Sequence, residues 1–203
     1  MEPRNATPHL ILASASPRRR ELLQRIGVVF VVIPSDTSEA AQPGELAQEY
    51  ALRVASEKAQ DVAQRHPGIW VLGADTIVEI DGEVLGKPRD AADGQRMLSK
   101  LSGRTHRVMT AFALLDGDSR VRMRQVVTSR VTFKPLSAAQ IGEYLATGEP
   151  FDKAGAYAVQ GVGASLVERV EGSYTNIVGL PMAEVQAALR AVGLLNHQEA
   201  HKE

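Results

Sequence analysis

Read by its apolar and polar positions, the chain alternates short hydrophobic runs with longer stretches of helical spacing. Leu10 to Leu12 is an apolar run that predicts a buried strand. Ser16 is placed to cap a helix, and Pro17 to open it, because a first-turn proline has no N–H to leave unpaired. Leu22, Leu23 and Ile26 give that helix an apolar face, and Gly27 is placed to end it. Val28 to Ile33 is a second strand-like run closed by Pro34, with a polar loop from Ser35 to Ala40 after it. From Pro43 to about His66 the spacing predicts one long helix with a stripe of Leu46, Tyr50, Val54 and Val62. Lys58 falls on the same stripe, where a lysine is expected to snorkel outward unless its ammonium opens into a cleft beside the core.

The strand pattern then resumes. Ile69 to Leu72 and Ile77 to Ile80 flank Gly73-Ala-Asp-Thr76, and Asp81-Gly82 predicts a tight hairpin into Glu83 to Leu85. Asp75 therefore lies among strand-forming residues, where carboxylates are avoided. A bulge holding a satisfied structural aspartate is one explanation, and a functional carboxylate is the other. A helix is expected from Asp90 to near Gly103, then a β-ribbon made by Thr105 to Leu115 and Val121 to Phe133 around Asp116-Gly117. Ser137 to Gln140 has a capping-box pattern and opens a helix ended by Gly148. A glycine-rich polar stretch follows from Asp152 to Gly161. Ser165 to Val170 reads as strand, Glu171 to Asn176 as loop, and Pro181 to Gly193 as a last amphipathic helix. This order predicts an α/β fold, with a mixed twisted sheet flanked by helices and two lobes around a deep cleft. A single domain over 1–203 is expected, with 194–203 as a flexible tail. His197 and His201 are read as part of that tail rather than as a metal pair.

Composition narrows the function classes. Of 203 residues, 44% are hydrophobic, enough for a sizeable core. A formal net charge of -1 and 4% aromatic residues argue against nucleic acid as a partner. The absence of cysteine excludes disulfides and thiolate metal sites. No signal-peptide pattern and no apolar stretch of membrane-spanning length are present, so a cytoplasmic protein without a membrane partner is expected.

Chemistry concentrates in the turn after the first strand. It carries the hydroxyls of Ser14 and Ser16, free amides at a helix N-terminus, and Arg18, Arg19 and Arg20. N-terminal amides and arginine forks both favour an anion. Three arginines in a first turn oppose the helix dipole, so folding alone would not select them. The turn is not a Walker-type loop, since no G-x-x-x-x-G-K-[ST] occurs. Asp75 and Lys87 belong to strand-end regions, where α/β folds place ligands. Together these groups suggest a polyphosphate with a divalent metal, and spacing goes no further.

Four motifs in order extend the reading: Ser14-Ala-Ser-Pro-Arg-Arg19; Gly73-Ala-Asp-Thr76 with Lys87-Pro88; Leu101-Ser-Gly-Arg-Thr-His106; and Asp152-Lys-Ala-Gly-Ala-Tyr157. In these the chain resembles the Maf family of nucleoside triphosphate pyrophosphatases. Gln160-Gly161 and Glu171 to Asn176 look like the branch acting on dTTP and UTP, rather than the sister branch acting on 7-methyl-GTP. The resemblance implies a fold related to inosine triphosphate pyrophosphatases and commonly a homodimer. It implies hydrolysis of a nucleoside triphosphate to the monophosphate and pyrophosphate, with Asp75 as proton acceptor. Arg18, Thr76 and Gln160 match positions tied to substrate choice. Ser14, Arg19, Lys58 and Lys87 match positions around the phosphates. Asp75 and Glu39 are the implied ligands of Mg²⁺ or Mn²⁺. A nucleotide-sensing regulator of septum formation, acting by binding, is the alternative from a different class.

Overall fold

The first strand, Leu10–Ala13 (β1), is buried along its whole length. Its side chains alternate between two covered faces, which is why its sequence reads as an unbroken apolar run. Leu10 and Leu12 pack with Leu22 and Leu23 of Pro17–Gln24 (α1), while Ile11 and Ala13 pack on the opposite face against Ala59, Val62 and Ala63. The latter three belong to Ala47–Arg65 (α2). The computed structural model describes residues 9–195. The expected tail therefore lies, from residue 196 onward and with both histidines, outside the described residues. Leu194 and Leu195 are partly buried against the core, and the Leu194 amide donates to the Leu189 carbonyl at 2.9 Å.

β1 runs parallel to Phe30–Val32 (β2) on one side and to Trp70–Ile80 (β3) on the other. β3 is then antiparallel to Glu83–Leu85 (β4) and to Thr105–Leu115 (β5). Val121–Phe133 (β6) and Val167–Glu171 (β7) complete a seven-stranded mixed sheet in the order β2-β1-β3-β5-β6-β7, with β4 beside β3. The hairpin at Asp81-Gly82 forms as expected. Both residues have positive φ, 55° and 80°, which matches the right-handed twist of the flanking strands. Ala91–Leu101 (α3) is capped by the Asp90 carboxylate, and Ala138–Ala146 (α4) by Ser137 with Gln140 in a capping box. Among the described residues, no helix is long and apolar enough to cross a membrane.

Three expectations need correction. The long helix starts at Ala47, not Pro43, because Gly44 takes a left-handed φ of 76° and Leu46 becomes the cap, with the Glu49 carboxylate accepting its N–H at 3.2 Å. Leu46 is accordingly 66% exposed and leaves the apolar stripe. The stretch expected as a loop before Asn176 folds into a short helix, Tyr174–Val178 (α5), capped by the Ser173 hydroxyl. The strand expected from Ser165 begins two residues later, since Gly161–Leu166 forms a 3-10 helix. The last helix, Met182–Ala191 (α6), packs beside α1 on the sheet.

β3 organises what matters for function. Its even-numbered side chains Leu72 and Ala74 join the core under α1 and α6, while Val78 and Ile80 join a second core under α3 and α4. Thr76 lies between the two. On the opposite face, Gly73 lets α2 press against the strand, since a Cβ there would lie 2.4 Å from the Ala55 carbonyl oxygen.

Candidate active site

One rail of β3 is hydrogen-bonded along its length to β5 without a register shift across Asp75. The other rail is shared. β1 covers Trp70 to Gly73, β4 covers Val78 to Ile80, and the strand between them is left without a β partner on that side. Asp75 and Thr76 occupy this gap, so the bulge explanation for Asp75 does not hold. A gap in a sheet exposes backbone groups that must be satisfied some other way. Here Arg19 does so.

Arg19 projects from the first turn of α1 into the gap and is 8% exposed. Its Nη1 donates to the Ala74 carbonyl at 2.9 Å and to the Ser14 hydroxyl at 3.1 Å. Nη2 donates to the Thr76 hydroxyl at 3.0 Å, and Nε to the Gly179 carbonyl at 2.8 Å. Burial pulls the guanidinium below its ordinary pKa, with Asp75 and Glu39 acting in the opposite direction. Arginine remains charged in such a setting. Arg19 is thus a buried, fixed positive charge that ties α1, β3 and the segment after α5 together.

The direction of the hydroxyl chain behind it follows from its end. Thr110 donates its proton to the Asn176 carbonyl at 2.7 Å, since a carbonyl only accepts. The Thr76 hydroxyl, 2.9 Å away, must then donate to Thr110 while accepting from Arg19. Asn176 is fully buried and holds the chain in place: its amide oxygen accepts the Thr110 N–H, and its amide nitrogen donates to the Val108 carbonyl and to Ser129. Sequence assigned no role to Thr110 and gave Asn176 only as the last residue of the Glu171 to Asn176 motif, and neither residue type carries a signal of this role by itself.

Lys58 takes the second of its two expected paths, its ammonium opening into the cleft rather than snorkelling outward. It is 8% exposed, and its ammonium lies 2.7 Å from Asp75 Oδ1 and 2.7 Å from Glu39 Oε1. Asp75 is 6% exposed, whereas Glu39 sits in the loop before α2 with its side chain about half open. Burial alone would raise the Glu39 pKa, but Lys58, Lys87 and Arg19 outweigh it and hold the carboxyl below its ordinary value. Tyr50, placed on the α2 stripe by its spacing, donates its hydroxyl to the Glu39 carbonyl at 2.7 Å. Burial, with Asp75 and Glu39 nearby, pushes the Tyr50 pKa up to about 12.

These groups open into a cavity of about 380 Å³. Ser14, Arg18, Arg19, Lys58 and Lys87 line it, as do Glu39, Asp75, Thr76 and Gln160. All nine sequence-derived site residues therefore share one hollow. Arg18 is half-buried and meets Asp152 across the mouth at 3.5 Å, a mostly solvated pair that binds weakly. Lys87 and Gln160 are exposed. Tyr157 and Asp152 also line the cavity and came from the glycine-rich motif without an assigned role.

Among the described residues, no group of three or more histidine, aspartate or glutamate side chains gathers to hold a metal. Asp75 and Glu39 nevertheless converge on one cation, the Lys58 ammonium, so two carboxylates already face a shared positive charge. Mg²⁺ is commonly held by one or two carboxylates together with substrate phosphates. The two carboxylates fit that pattern for a metal arriving with a triphosphate.

The fold and site define a mixed α/β protein with a cationic cleft built around a buried carboxylate on an open strand rail. The Maf-like protein family matches residues 9–192, and the chain belongs to it. It is 54% identical over 185 residues to a dTTP/UTP pyrophosphatase of Myxococcus xanthus, covering 91% of this chain and 93% of the relative. It is 50% identical over 188 residues to a dTTP/UTP pyrophosphatase of Citrifermentans bemidjiense, covering 93% and 97%. A solved dITP/XTP pyrophosphatase from Mycobacterium abscessus aligns at 16% identity with a TM-score of 0.45, covering 91% of this chain and 95% of that one.

Proposed function

We propose that the chain is a nucleoside triphosphate pyrophosphatase that hydrolyses dTTP and UTP to the monophosphate and pyrophosphate. The observation that carries the chemistry is the buried Asp75–Lys58 pair on the open rail of β3, facing a cavity lined by Arg18, Arg19 and Lys87. The pyrimidine assignment draws on relatives of about 50% identity that bear that activity in their names.

In this reading the triphosphate lies along the Ser14–Arg19 turn. Asp75 orients a water toward the α-phosphorus and accepts its proton as the new P–O bond forms and the bond to the β-phosphate oxygen breaks. Lys58, Lys87 and Arg18 stabilise charge on the departing pyrophosphate, and each such donor contributes on the order of 3 kcal/mol at the barrier. Arg19, committed to four partners, supplies a preorganised charge rather than a mobile fork. A divalent metal bound by Asp75 and Glu39 would neutralise phosphate charge and make water more acidic. Gln160 makes no side-chain hydrogen bond among the described residues, so its amide is free to offer a donor and an acceptor to a pyrimidine edge. Homodimeric assembly is carried with the family resemblance, and sedimentation of the purified chain tests it; a cytoplasmic location is the expectation from the sequence pattern alone.

The test is pyrophosphate release from dTTP, UTP, CTP, GTP and 7-methyl-GTP by the parent and by Asp75→Asn. The asparagine can still accept from Lys58, so the fold survives. Turnover should fall by at least a hundredfold, on the order of the loss when a catalytic base is removed. Near-parental turnover by the folded variant would remove Asp75 from the reaction, and preference for 7-methyl-GTP would overturn the substrate assignment.

A further inference from the structure

We infer that Tyr144 and Glu149 form a latch that fixes Gln160, and through it the base selectivity of the cleft. They act as positioning residues, and the inference rests on the reading of Gln160 above. Gln160 has an exposed side chain without a hydrogen-bond partner among the described residues. Its position is therefore set by its backbone, and that backbone is held on both sides by one carboxylate–phenol pair.

Glu149 Oε2 accepts the Val162 N–H at 3.0 Å, and Oε1 accepts the Gly163 N–H at 3.0 Å and the Tyr144 hydroxyl at 2.9 Å. The Tyr144 oxygen in turn accepts the Ala158 N–H at 3.1 Å. A backbone N–H only donates, so the phenol proton must go to the carboxylate. The clamps thus grip residue 158 before Gln160 and residues 162 and 163 after it, leaving only Val159, Gln160 and Gly161 between them.

The sequence around the latch is shaped to it. A Cβ on Gly161 would lie 2.5 Å from Glu149 Oε2, and one on Gly163 would lie 2.6 Å from the Tyr144 hydroxyl oxygen. Gly161 also takes a left-handed φ of 67°. Tyr144 is 3% exposed, and burial raises its pKa, with Glu149 adding to the effect. Burial alone would raise the pKa of Glu149 as well, but the Gly163 and Val162 amides and Tyr144 outweigh it, so the carboxylate stays ionised. Such charge-assisted bonds are the stronger kind. Neither side chain lines the cavity itself, so the pair reaches substrate through this loop's backbone. A displacement on the order of 1 Å in a positioned group can cost on the order of a hundredfold in rate.

The experiment measures kcat and KM for UTP and GTP in the parent, Tyr144→Phe, Glu149→Gln, Gln160→Ala, and each latch variant combined with Gln160→Ala. Hydrogen exchange at the Ala158, Val162 and Gly163 amides is followed in parallel. The latch variants should lower the UTP-over-GTP ratio of kcat/KM about tenfold, mainly through KM for UTP, in line with one lost charge-assisted hydrogen bond. They should have no further effect once Gln160 is alanine. Equal losses with and without Gln160, or an unchanged ratio in folded latch variants, would overturn the inference. If Gln160→Ala alone leaves the ratio unchanged, the Gln160 reading fails; faster amide exchange in the latch variants would then still establish the clamp, and unchanged exchange would remove it as well.

Discussion

Replacing Lys58 with methionine tests the centre of the site most directly. Methionine keeps the length and apolar stem of the side chain and removes only the ammonium. Asp75, 6% exposed, then loses its one side-chain partner among the described residues, and Glu39 loses the cation 2.7 Å from its carboxylate. At 2.7 Å and an effective dielectric of 20, one such pair has a Coulomb energy of about 6 kcal/mol before desolvation. Removing one partner of a buried pair costs about 3–5 kcal/mol, because the remaining charge stays buried without compensation. Glu39 is about half open and adds little. We therefore expect a loss of about 4 kcal/mol, which corresponds to roughly 8–16 °C in Tm for a chain of this size. Differential scanning calorimetry measures it. Lys58→Met combined with Asp75→Asn should recover most of the loss, since no bare carboxylate is left on the strand. A single variant melting within about 3 °C of the parent would refute the reasoning, being under about 1 kcal/mol. So would a double variant no more stable than the single one.

Two further outcomes follow from the same geometry. Arg19→Lys leaves one nitrogen to serve partners now reached by three, so at least one of the Ala74 and Gly179 carbonyls loses its donor. Urea unfolding should show a loss of about 2 kcal/mol, the cost of an unsatisfied buried acceptor, and equal midpoints would show that the gap in the sheet tolerates lysine. His106 is 2% exposed, stacks edge-on to Phe133 and Tyr157, and has its pKa lowered by burial to about 4. The unfolded chain binds this proton near pH 6.5, so the stability held by neutral His106 is complete above that pH and is lost as pH falls toward 4. Between pH 7 and pH 5 the loss should be about 2 kcal/mol, and His106→Gln should unfold with a correspondingly flatter pH dependence; parallel pH profiles would exclude His106.

How much of this was legible in the sequence depended on the range of the interactions. The cap at Ser16, the Asp81-Gly82 hairpin and the long β5–β6 ribbon are local, set by turn chemistry and alternation, and they formed where expected. The start of α2 was not legible, because Pro43 suits a first helical turn as well as the turn that precedes one, and Gly44 decided between them. Helical spacing left the path of Lys58 open between snorkelling outward and entering a cleft. It showed which face the lysine occupied but not that a carboxylate waits across that face on β3, seventeen residues on. Arg19 was read as a phosphate ligand, yet its role in closing the sheet gap depends on β1 ending before β4 begins, a matter of topology that no single segment encodes. The motifs named the members of the site; which member holds which required the folded sheet.

The bare Cα at residue 73 governs how far α2 can settle onto β3. With the helix backbone already touching the strand, a single added methyl would act as a shim, tilting or lifting α2 and carrying the Lys58 ammonium away from its carboxylate. The depth of the cleft floor is thus gauged by an atom the residue lacks, two positions before the carboxylate whose setting it determines.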